Sequence, residues 1–350
     1  PALAGTTLCP VAPCLDAAGG IPGAALTIGG IDPKIKSPTA YIWSGSIEHR
    51  LGSHLVASVL YSGSHDSNLV GAGNVGGQVS YGTDINAHAG DLIGTPRNTL
   101  PARLNPSFGV INYTANDRVS NYEGVSFNVR ARVKRGFFDA SYTRSSSKDD
   151  AGNYPTSINP HQYYGPSPWD APNRFSLSFN YQLPGMNNGA GFVGHATGGW
   201  GLSGTSAYQT GYPFNVFTSA NFWNGGDYNA DGDNNDYPNV TSYTQSLSRS
   251  ALTQSGVFSA SQFTAPTAGT LGNEKTGQFR NPPFVTTDLT VYKDTHITER
   301  VNFQFRFEFF NLFNHPNFLT ISNDLTSGTF GRQSSQALPR WWQIGGKITF

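Results

Sequence analysis

The chain has 350 residues, of which 37% are hydrophobic and 13% are aromatic, so it is too rich in apolar side chains to remain disordered. Its 22 basic and 22 acidic residues cancel, which removes the electrostatic argument for a nucleic-acid partner. The 41 glycines and 22 prolines would interrupt the helices of a bundle, and no apolar run approaches the roughly 18 residues of a membrane-spanning helix. The composition therefore favours an all-β protein.

Two cysteines, Cys9 and Cys14, lie close together near the N-terminus. A pair with this spacing in a secreted protein is typical of a small disulfide loop. A metal site would need further ligands, and no histidine or second cysteine pair lies nearby. We expect a disulfide between these two residues.

Period-two alternation is the main structural signal along the chain. From Glu123 to Val133, Val125, Phe127 and Val129 alternate with polar residues, which places the two sets on opposite faces of a strand. Similar segments cover residues 41–51, 55–64, 136–145, 173–183, 200–209, 285–292, 301–309 and 342–350. These about nine strands of roughly ten residues have the length of tilted strands that cross a bilayer.

Alternation alone fits both a soluble β-sandwich and an outer-membrane barrel, because both share the same pleat. The connections distinguish the two folds. Short links near residues 52–53, 134–136, 184–196 and 294–299 alternate with long polar ones at 64–120, 145–171, 212–281 and 314–340. Barrels have short periplasmic turns and long external loops. The sequence predicts an antiparallel up-and-down transmembrane β-barrel, present in part, with a wet lumen.

Charged residues in the alternating segments follow the polar face. A slip of one residue would turn Arg130 and Arg132 toward lipid, at about 2–4 kcal/mol each at mid-bilayer. We therefore expect the following side chains to face the lumen, in ion pairs or in contacts with a plug: Arg130, Arg132, Arg306 and Glu308. Aromatic residues near the expected strand ends are predicted to lie at the membrane–water interface: Tyr41, Trp43, Tyr142, Tyr181, Trp200, Trp341, Trp342 and Phe350.

An acidic segment within residues 225–239 has the ligand spacing of a calcium loop. Oxygen-bearing residues alternate, and Gly232 follows at the sixth position, as in the first half of an EF-hand loop. The candidate ligands are Asp227, Asn229, Asp231, Asp233 and Asp236. Pro238 occupies the position of the bidentate glutamate, so the alternatives are a weak calcium site that orders the loop and a hydrated acidic loop.

No motif predicts an enzyme or a required cofactor. The eight histidines lack ligand spacing, and no nucleophile elbow, P-loop or dinucleotide fingerprint occurs. His315, in Asn-His-Pro-Asn, is predicted to serve a chain reversal. Loop aromatics offer stacking surfaces for a ligand: Tyr163, Tyr164, Trp169, Phe222 and Trp223.

Several longer motifs carry a family resemblance. They include Phe108-Gly-Val-Ile-Asn-Tyr, Gly199-Trp-Gly-Leu-Ser-Gly and Gln209-Thr-Gly-Tyr-Pro-Phe. The most specific begins at Phe307 and reads Phe-Glu-Phe-Phe-Asn-Leu-Phe-Asn-His-Pro-Asn-Phe. On these stretches, residues 1–350 resemble the C-terminal barrel region of Oar-like TonB-dependent outer-membrane transporters, the members that carry an N-terminal carboxypeptidase-regulatory-like domain. Phe350 resembles the terminal aromatic by which the barrel assembly machinery recognises its substrates.

The resemblance implies a barrel of about 22 strands around a plug, of which this chain would supply the last part. The plug, the N-terminal domain and the TonB-contacting segment have no counterpart here, so we expect a fragment that neither closes nor transports by itself. The intact protein would import a scarce, unidentified solute across the outer membrane with energy from TonB. The alternatives are a surface adhesion or structural barrel acting through its long loops, and a soluble binding module.

Overall fold

The computed structural model describes residues 26–71, 73–75, 78–80, 83–86, 105, 108–152, 160–185, 191–217, 228, 236–267 and 269–350. Within these residues, nine long strands form one antiparallel sheet in which every strand pairs with the next in the chain. They are β1 Thr39–Leu51, β2 Leu55–Leu69, β3 Arg118–Val133, β4 Gly136–Asp149, β5 Asn173–Gln182, β6 Trp200–Gln209, β7 Phe284–His296, β8 Asn302–Phe310 and β9 Trp341–Thr349. The up-and-down prediction is confirmed.

Shorter elements occur in the connections. A two-residue strand, Gly165–Pro166, pairs with the last two residues of β4, beyond the end of β5. The other short strands form small separate sheets. These strands are Leu26–Ile31, Gly73–Val75, Gln78–Ser80, Thr83–Asp84, Phe108–Thr114, Pro213–Phe214, Asn239–Val240, Phe263–Thr264, Phe279–Arg280, Phe318–Ile321 and Gln333–Gln336. The helices are Pro160–Tyr163, α1 Gly191–Thr197, Ala251–Ser255 and Ala260–Gln262. None of the described helices has the length and apolar character needed to cross a bilayer.

Short and long connections alternate as the sequence predicts. Gly52, at a φ of 68°, makes the turn between β1 and β2, where a side chain would be strained. The link between β5 and β6 contains α1 and is the longest at this end of the sheet. At the opposite end, β2 continues to Leu69 and β4 to Asp149, well beyond the ends expected from alternation.

The two faces of the sheet differ in polarity. Register aligns one apolar row across six strands, in the order Val59, Phe127, Tyr142, Phe175, Tyr208 and Val285. Phe127 in this row is 48% exposed, and no second layer from the described part of the chain covers it. An exposed apolar surface of this extent is typical of contact with lipid, not with a protein core.

The long connections hold the main hydrophobic core. Ten buried side chains, all from residues 210–283 and 311–340, pack into one cluster. Phe258 is central, with ring centroids 4.7 Å from Phe279 and 5.5 Å from Phe263. We name this cluster the loop core: Val216, Val240, Ala251, Leu252, Val257, Phe258, Phe263, Phe279, Phe318 and Ile321. The expectation that these connections are simply polar is wrong, because their apolar residues are buried together.

Two interfacial placements also differ from the prediction. Tyr142 lies in the middle of β4, because that strand continues to Asp149. Trp341 pairs with Phe310 on the polar face and stacks on it at 4.0 Å, so register turns it away from the apolar face. Trp342, one residue later, does lie on the apolar face opposite Phe309.

Candidate functional site

A cavity of about 530 Å³ lies against the polar face of the sheet, at the end with the long connections. The alternation of β3, β4 and β5 points hydroxyl groups into it, because Ser or Thr occupies consecutive polar-face positions of β4 and single ones of β3 and β5 beside the cavity. The hydroxyl row consists of Ser126, Ser141, Thr143, Ser145, Ser147 and Ser176. Ser126 and Thr143 share a hydrogen bond of 2.8 Å across the strands, which leaves each hydroxyl further bonding capacity. The hydroxyl row can therefore form hydrogen bonds with a polar solute in the cavity.

Asp170, in the connection between β4 and β5, lines this cavity at the end of the strands. Asp170 is 4% exposed, and its Oδ1 accepts a hydrogen bond of 2.8 Å from the Ser147 amide. Its Oδ2 lies 2.5 Å from the guanidinium of Arg280, which comes from the connection between β6 and β7. Arg280 also donates to the carbonyl oxygens of Asp170 and Gly211. One ion pair, in which the carboxylate is buried and the guanidinium is partly exposed, thus fastens two long loops beside the polar cavity.

Trp169, beside this ion pair, offers an aromatic surface at the cavity. Its side chain is 77% exposed, and its ring meets the edge of Tyr212 at 5.7 Å between centroids. Arg174 and Gln209 line the same cavity from the polar face. Of the other predicted stacking residues, Tyr164 is exposed, whereas Tyr163 is buried edge-on against Tyr237 at 5.7 Å. Phe222 and Trp223 lie outside the described residues.

A buried carboxyl group, Glu274, joins two parts of the β6–β7 connection. Its Oε1 accepts hydrogen bonds from Asn215 Nδ2 at 2.7 Å and from the Val216 amide at 2.9 Å. Its Oε2 has no partner in the described part of the chain. Burial raises the pKa of Glu274 to about 8, against the two hydrogen bonds, which lower it. The neutral acid is the form that this environment favours.

The predicted lumen residues all lie on the polar face. Arg130 forms an ion pair of 2.9 Å with Asp139 on β4, and Arg306 forms one of 2.7 Å with Glu308. Glu308 also accepts a hydrogen bond from Gln343 on β9. Arg132 shares its face with Arg130 by register. That these side chains line a water-filled lumen stays a prediction.

The remaining predicted sites are only partly described. Cys9 and Cys14 lie outside the described residues, as do Asp227, Asn229, Asp231 and Asp233. Asp236 is described and is buried. The described residues contain no group of three or more histidine, cysteine, aspartate or glutamate residues able to hold a metal ion. The disulfide and the calcium loop stay predictions, as does recognition of Phe350, which is 97% exposed.

His315 occupies the chain reversal that its sequence context predicts. Asn311, at a φ of 50°, folds its side chain back so that Oδ1 accepts from the His315 amide at 2.9 Å. Asn311 Nδ2 donates to the His315 carbonyl, also at 2.9 Å. The most specific motif of the sequence therefore builds a turn at the end of β8.

Sequence reasoning missed the Asp170–Arg280 pair and Glu274. The two members of the pair are 110 residues apart, so no local pattern connects them. Glu274 lies in a segment without periodicity. The hydroxyl row could have been predicted from the sequence, because Ser141, Thr143 and Ser145 occupy alternate positions of one strand.

Several solved outer-membrane proteins have similar structures. The outer membrane transporter YddB from Escherichia coli is 10% identical, with a TM-score of 0.50 over 93% of this chain and 34% of its own. The FrpB iron transporter from Neisseria meningitidis is 9% identical, with a TM-score of 0.44 over 95% of this chain and 33% of its own. The ferripyoverdine receptor of Pseudomonas aeruginosa is 14% identical, with a TM-score of 0.43 over 89% and 27%.

The match to a protein family establishes the fold class and the location in the outer membrane. The chain spans about a third of the length of the solved proteins that it resembles. No curated protein sequence matches it. The likeness to YddB, at this identity, shows a shared fold. Residues 2–343, however, match the family described as the outer membrane beta barrel domain. The exposed apolar face, the polar face and the alternating connections agree with that match, and the chain belongs to this family of outer-membrane proteins.

Proposed function

We propose that the chain forms the C-terminal strands of a TonB-dependent outer-membrane transporter that imports a scarce solute. The carrying observation is the hydroxyl row on the polar face, bordered by the β4–β5 connection that the Asp170–Arg280 pair fastens to the β6–β7 connection. A transport wall must offer hydrogen bonds to a solute that has lost part of its water. The similarity of the fold to that of YddB, an outer membrane transporter, supports the same function.

The chemistry of the cavity favours a solute with many hydrogen-bonding groups. Hydroxyls both donate and accept, so the row can follow a polyhydroxylated molecule through changing orientations. Arg174 adds a cationic donor, and Trp169 adds an exposed aromatic face. A carbohydrate or a hydrophilic metal chelate has hydrogen-bonding groups for the hydroxyl row and for Arg174, and a surface that can stack on Trp169. The barrel acts as a wall and a capture surface, and we propose no reaction chemistry.

The proposal requires chain from outside these 350 residues. In the described structure β1 pairs only with β2 and β9 only with β8, so both edges of the sheet are open. Each unsatisfied backbone group in hydrocarbon costs several kcal/mol, so further strands must complete the barrel. We place the plug, the TonB-contacting segment and the N-terminal domain in the same missing part. Phe350 would direct assembly, and the Oar-like subtype remains part of this proposal.

Uptake by cells that carry the complete gene tests the function. The cells are grown in a medium that contains ferric chelates and oligosaccharides, and wild-type cells should remove at least one of these solutes from it. Cells without the gene should no longer deplete that solute. The wild-type gene should restore depletion only where TonB is present. The triple variant Ser141→Ala, Thr143→Val, Ser145→Ala should restore it at a reduced rate, whereas Ser146→Ala, on the other face of β4, should restore it fully.

Two results would overturn the proposal. Uptake that is unchanged without TonB would show that the barrel is not energised in this way. Unchanged depletion after gene deletion, together with reduced attachment to surfaces, would favour the adhesion barrel. In that case the loops and the loop core would carry the function, and the hydroxyl row would not.

A further inference from the structure

The short helix α1 lies on the outside of the sheet, at the end with the short connections. Two residues of the apolar face contact its C-terminal end: Trp200 on β6 and Lys293 on β7, which pair directly. Trp200 Nε1 donates to the Ala196 carbonyl at 2.9 Å. Lys293 Nζ donates to the carbonyls of His195 and Gly198, each at 2.6 Å. The helix is therefore attached to the lipid-facing side of the sheet.

These contacts explain a lysine on an apolar face. A charged side chain among lipid tails is costly, and the cost falls toward the interface. Lys293 satisfies two of its three donors on one carbonyl of α1 and one just after it, and lies 5.2 Å from the centre of the Trp200 ring. Both features place this part of the sheet at the level where hydrocarbon meets headgroups.

The helix turns its apolar side away from the protein. Gly194 is its buried residue, and Phe192 is 88% exposed. At 3.6 residues per turn, Phe192 and Ala196 lie on the side opposite Gly194, and Val193 lies on the flank, about 100° from Gly194. Val193 is also exposed, so two bulky apolar side chains project beyond the lipid-facing surface of the sheet.

We propose that α1 is an interfacial anchor whose Phe192 and Val193 insert among the phospholipids of the adjoining leaflet. The partner is a lipid surface, because the helix continues the apolar face that already meets lipid and is joined to it through Trp200 and Lys293. Lys134 and Arg135, exposed in the neighbouring turn, lie where lipid phosphates would meet them. In the orientation expected for barrels, this is the inner leaflet.

Depth-dependent fluorescence quenching tests the anchor. The complete barrel is made without its native thiols (Cys9→Ser, Cys14→Ser) and labelled with an environment-sensitive fluorophore at Phe192→Cys. It is then reconstituted into phosphatidylethanolamine and phosphatidylglycerol vesicles. We expect blue-shifted emission, loss of quenching by aqueous iodide, and stronger quenching by a nitroxide near the headgroup than by one near the acyl-chain end.

Two matched positions calibrate the result. Ser53→Cys, in the exposed turn between β1 and β2 at the same end, should be quenched by iodide. Phe127→Cys, in the apolar row, should respond best to the deeper nitroxide. If the variant at position 192 fails to show the heat-dependent gel mobility of a folded barrel, Ala196→Cys on the same helix face replaces it. Iodide quenching equal to that at position 53 would refute the anchor and leave the transport proposal unaffected.

Discussion

The side chain of Asn317 binds both backbone groups of Val285. Its Oδ1 accepts from the Val285 amide at 2.8 Å, and its Nδ2 donates to the Val285 carbonyl at 2.7 Å. Val285 is at the start of β7, so this buried amide continues the strand's ladder into the connection after β8. The last asparagine of the most specific motif thus fastens one long loop to a strand of the barrel.

Replacing Asn317 with leucine should destabilise this junction. The substitution keeps the size of the side chain but leaves two backbone groups without partners, and each buried unsatisfied group costs about 1–3 kcal/mol. Hydrogen exchange at the Val285 amide should accelerate accordingly. The control is Asn314→Gly, because glycine tolerates its φ of 51° and the Asn314 side chain binds the Arg340 amide and not Val285. Unchanged exchange in Asn317→Leu would contradict the assignment.

The Asp170–Arg280 pair should be worth more than a surface salt bridge. Asp170 is buried, so Arg280→Ala leaves a carboxylate without its cation, at about 3–5 kcal/mol. Protease cleavage of the β4–β5 and β6–β7 connections should become faster, whereas the sheet should remain intact. The double variant Asp170→Asn, Arg280→Ala should recover part of the lost protease resistance, because it no longer contains a buried carboxylate without a cation. Strictly additive effects would show that the two side chains are not coupled.

The stability of the β6–β7 connection should fall as pH rises. In the unfolded connection Glu274 loses its proton near the ordinary value of 4.5, whereas the folded connection holds it to about 8. The folded state therefore binds more protons between these values, and stability decreases by about 1.4 kcal/mol per pH unit there. Below that window the group contributes no pH dependence.

Glu274→Gln supplies the test of this titration. The amide oxygen can still accept from Asn215 and Val216, and the residue no longer ionises. Protease resistance of the connection, measured from about pH 5 to about pH 8, should decline in the wild type and stay level in the variant. Parallel declines in both proteins would assign the effect to another group.

Truncation of the loop core should loosen the long connections selectively. Phe279 is 2% exposed and contacts Phe258 and Phe263, so Phe279→Ala removes a buried ring at about 3–5 kcal/mol. Hydrogen exchange should accelerate across residues 236–267, while β7 and β8 keep their protection. Leu338→Ala, at an exposed position, is the control. Equal acceleration in the strands would show that loops and sheet unfold as one unit.

The sequence predicted the sheet well because alternation is a local property. Phe127 and Arg130 fall on the predicted faces, and all nine strands occur where period-two segments lie. Strand ends were less predictable: β4 continues from Ser145 to Asp149 through polar residues that show no alternation. The loop core could not be predicted, because the partners of Phe279 come from distant segments without any period. The same holds for Asp170 and Arg280.

Neighbouring residues on β3 provide a direct test of which face meets lipid. Val129 lies on the apolar face and Asn128 on the polar face, at almost the same depth. Val129→Arg places a cation in the hydrocarbon, at about 2–4 kcal/mol near mid-bilayer, whereas Asn128→Arg adds one to a row that already holds Arg130. Unfolding of the complete barrel from lipid vesicles should therefore require less denaturant in Val129→Arg and about as much as the wild type in Asn128→Arg. A loss of stability confined to Asn128→Arg would reverse the faces, and with them the assignment of the hydroxyl row to the lumen.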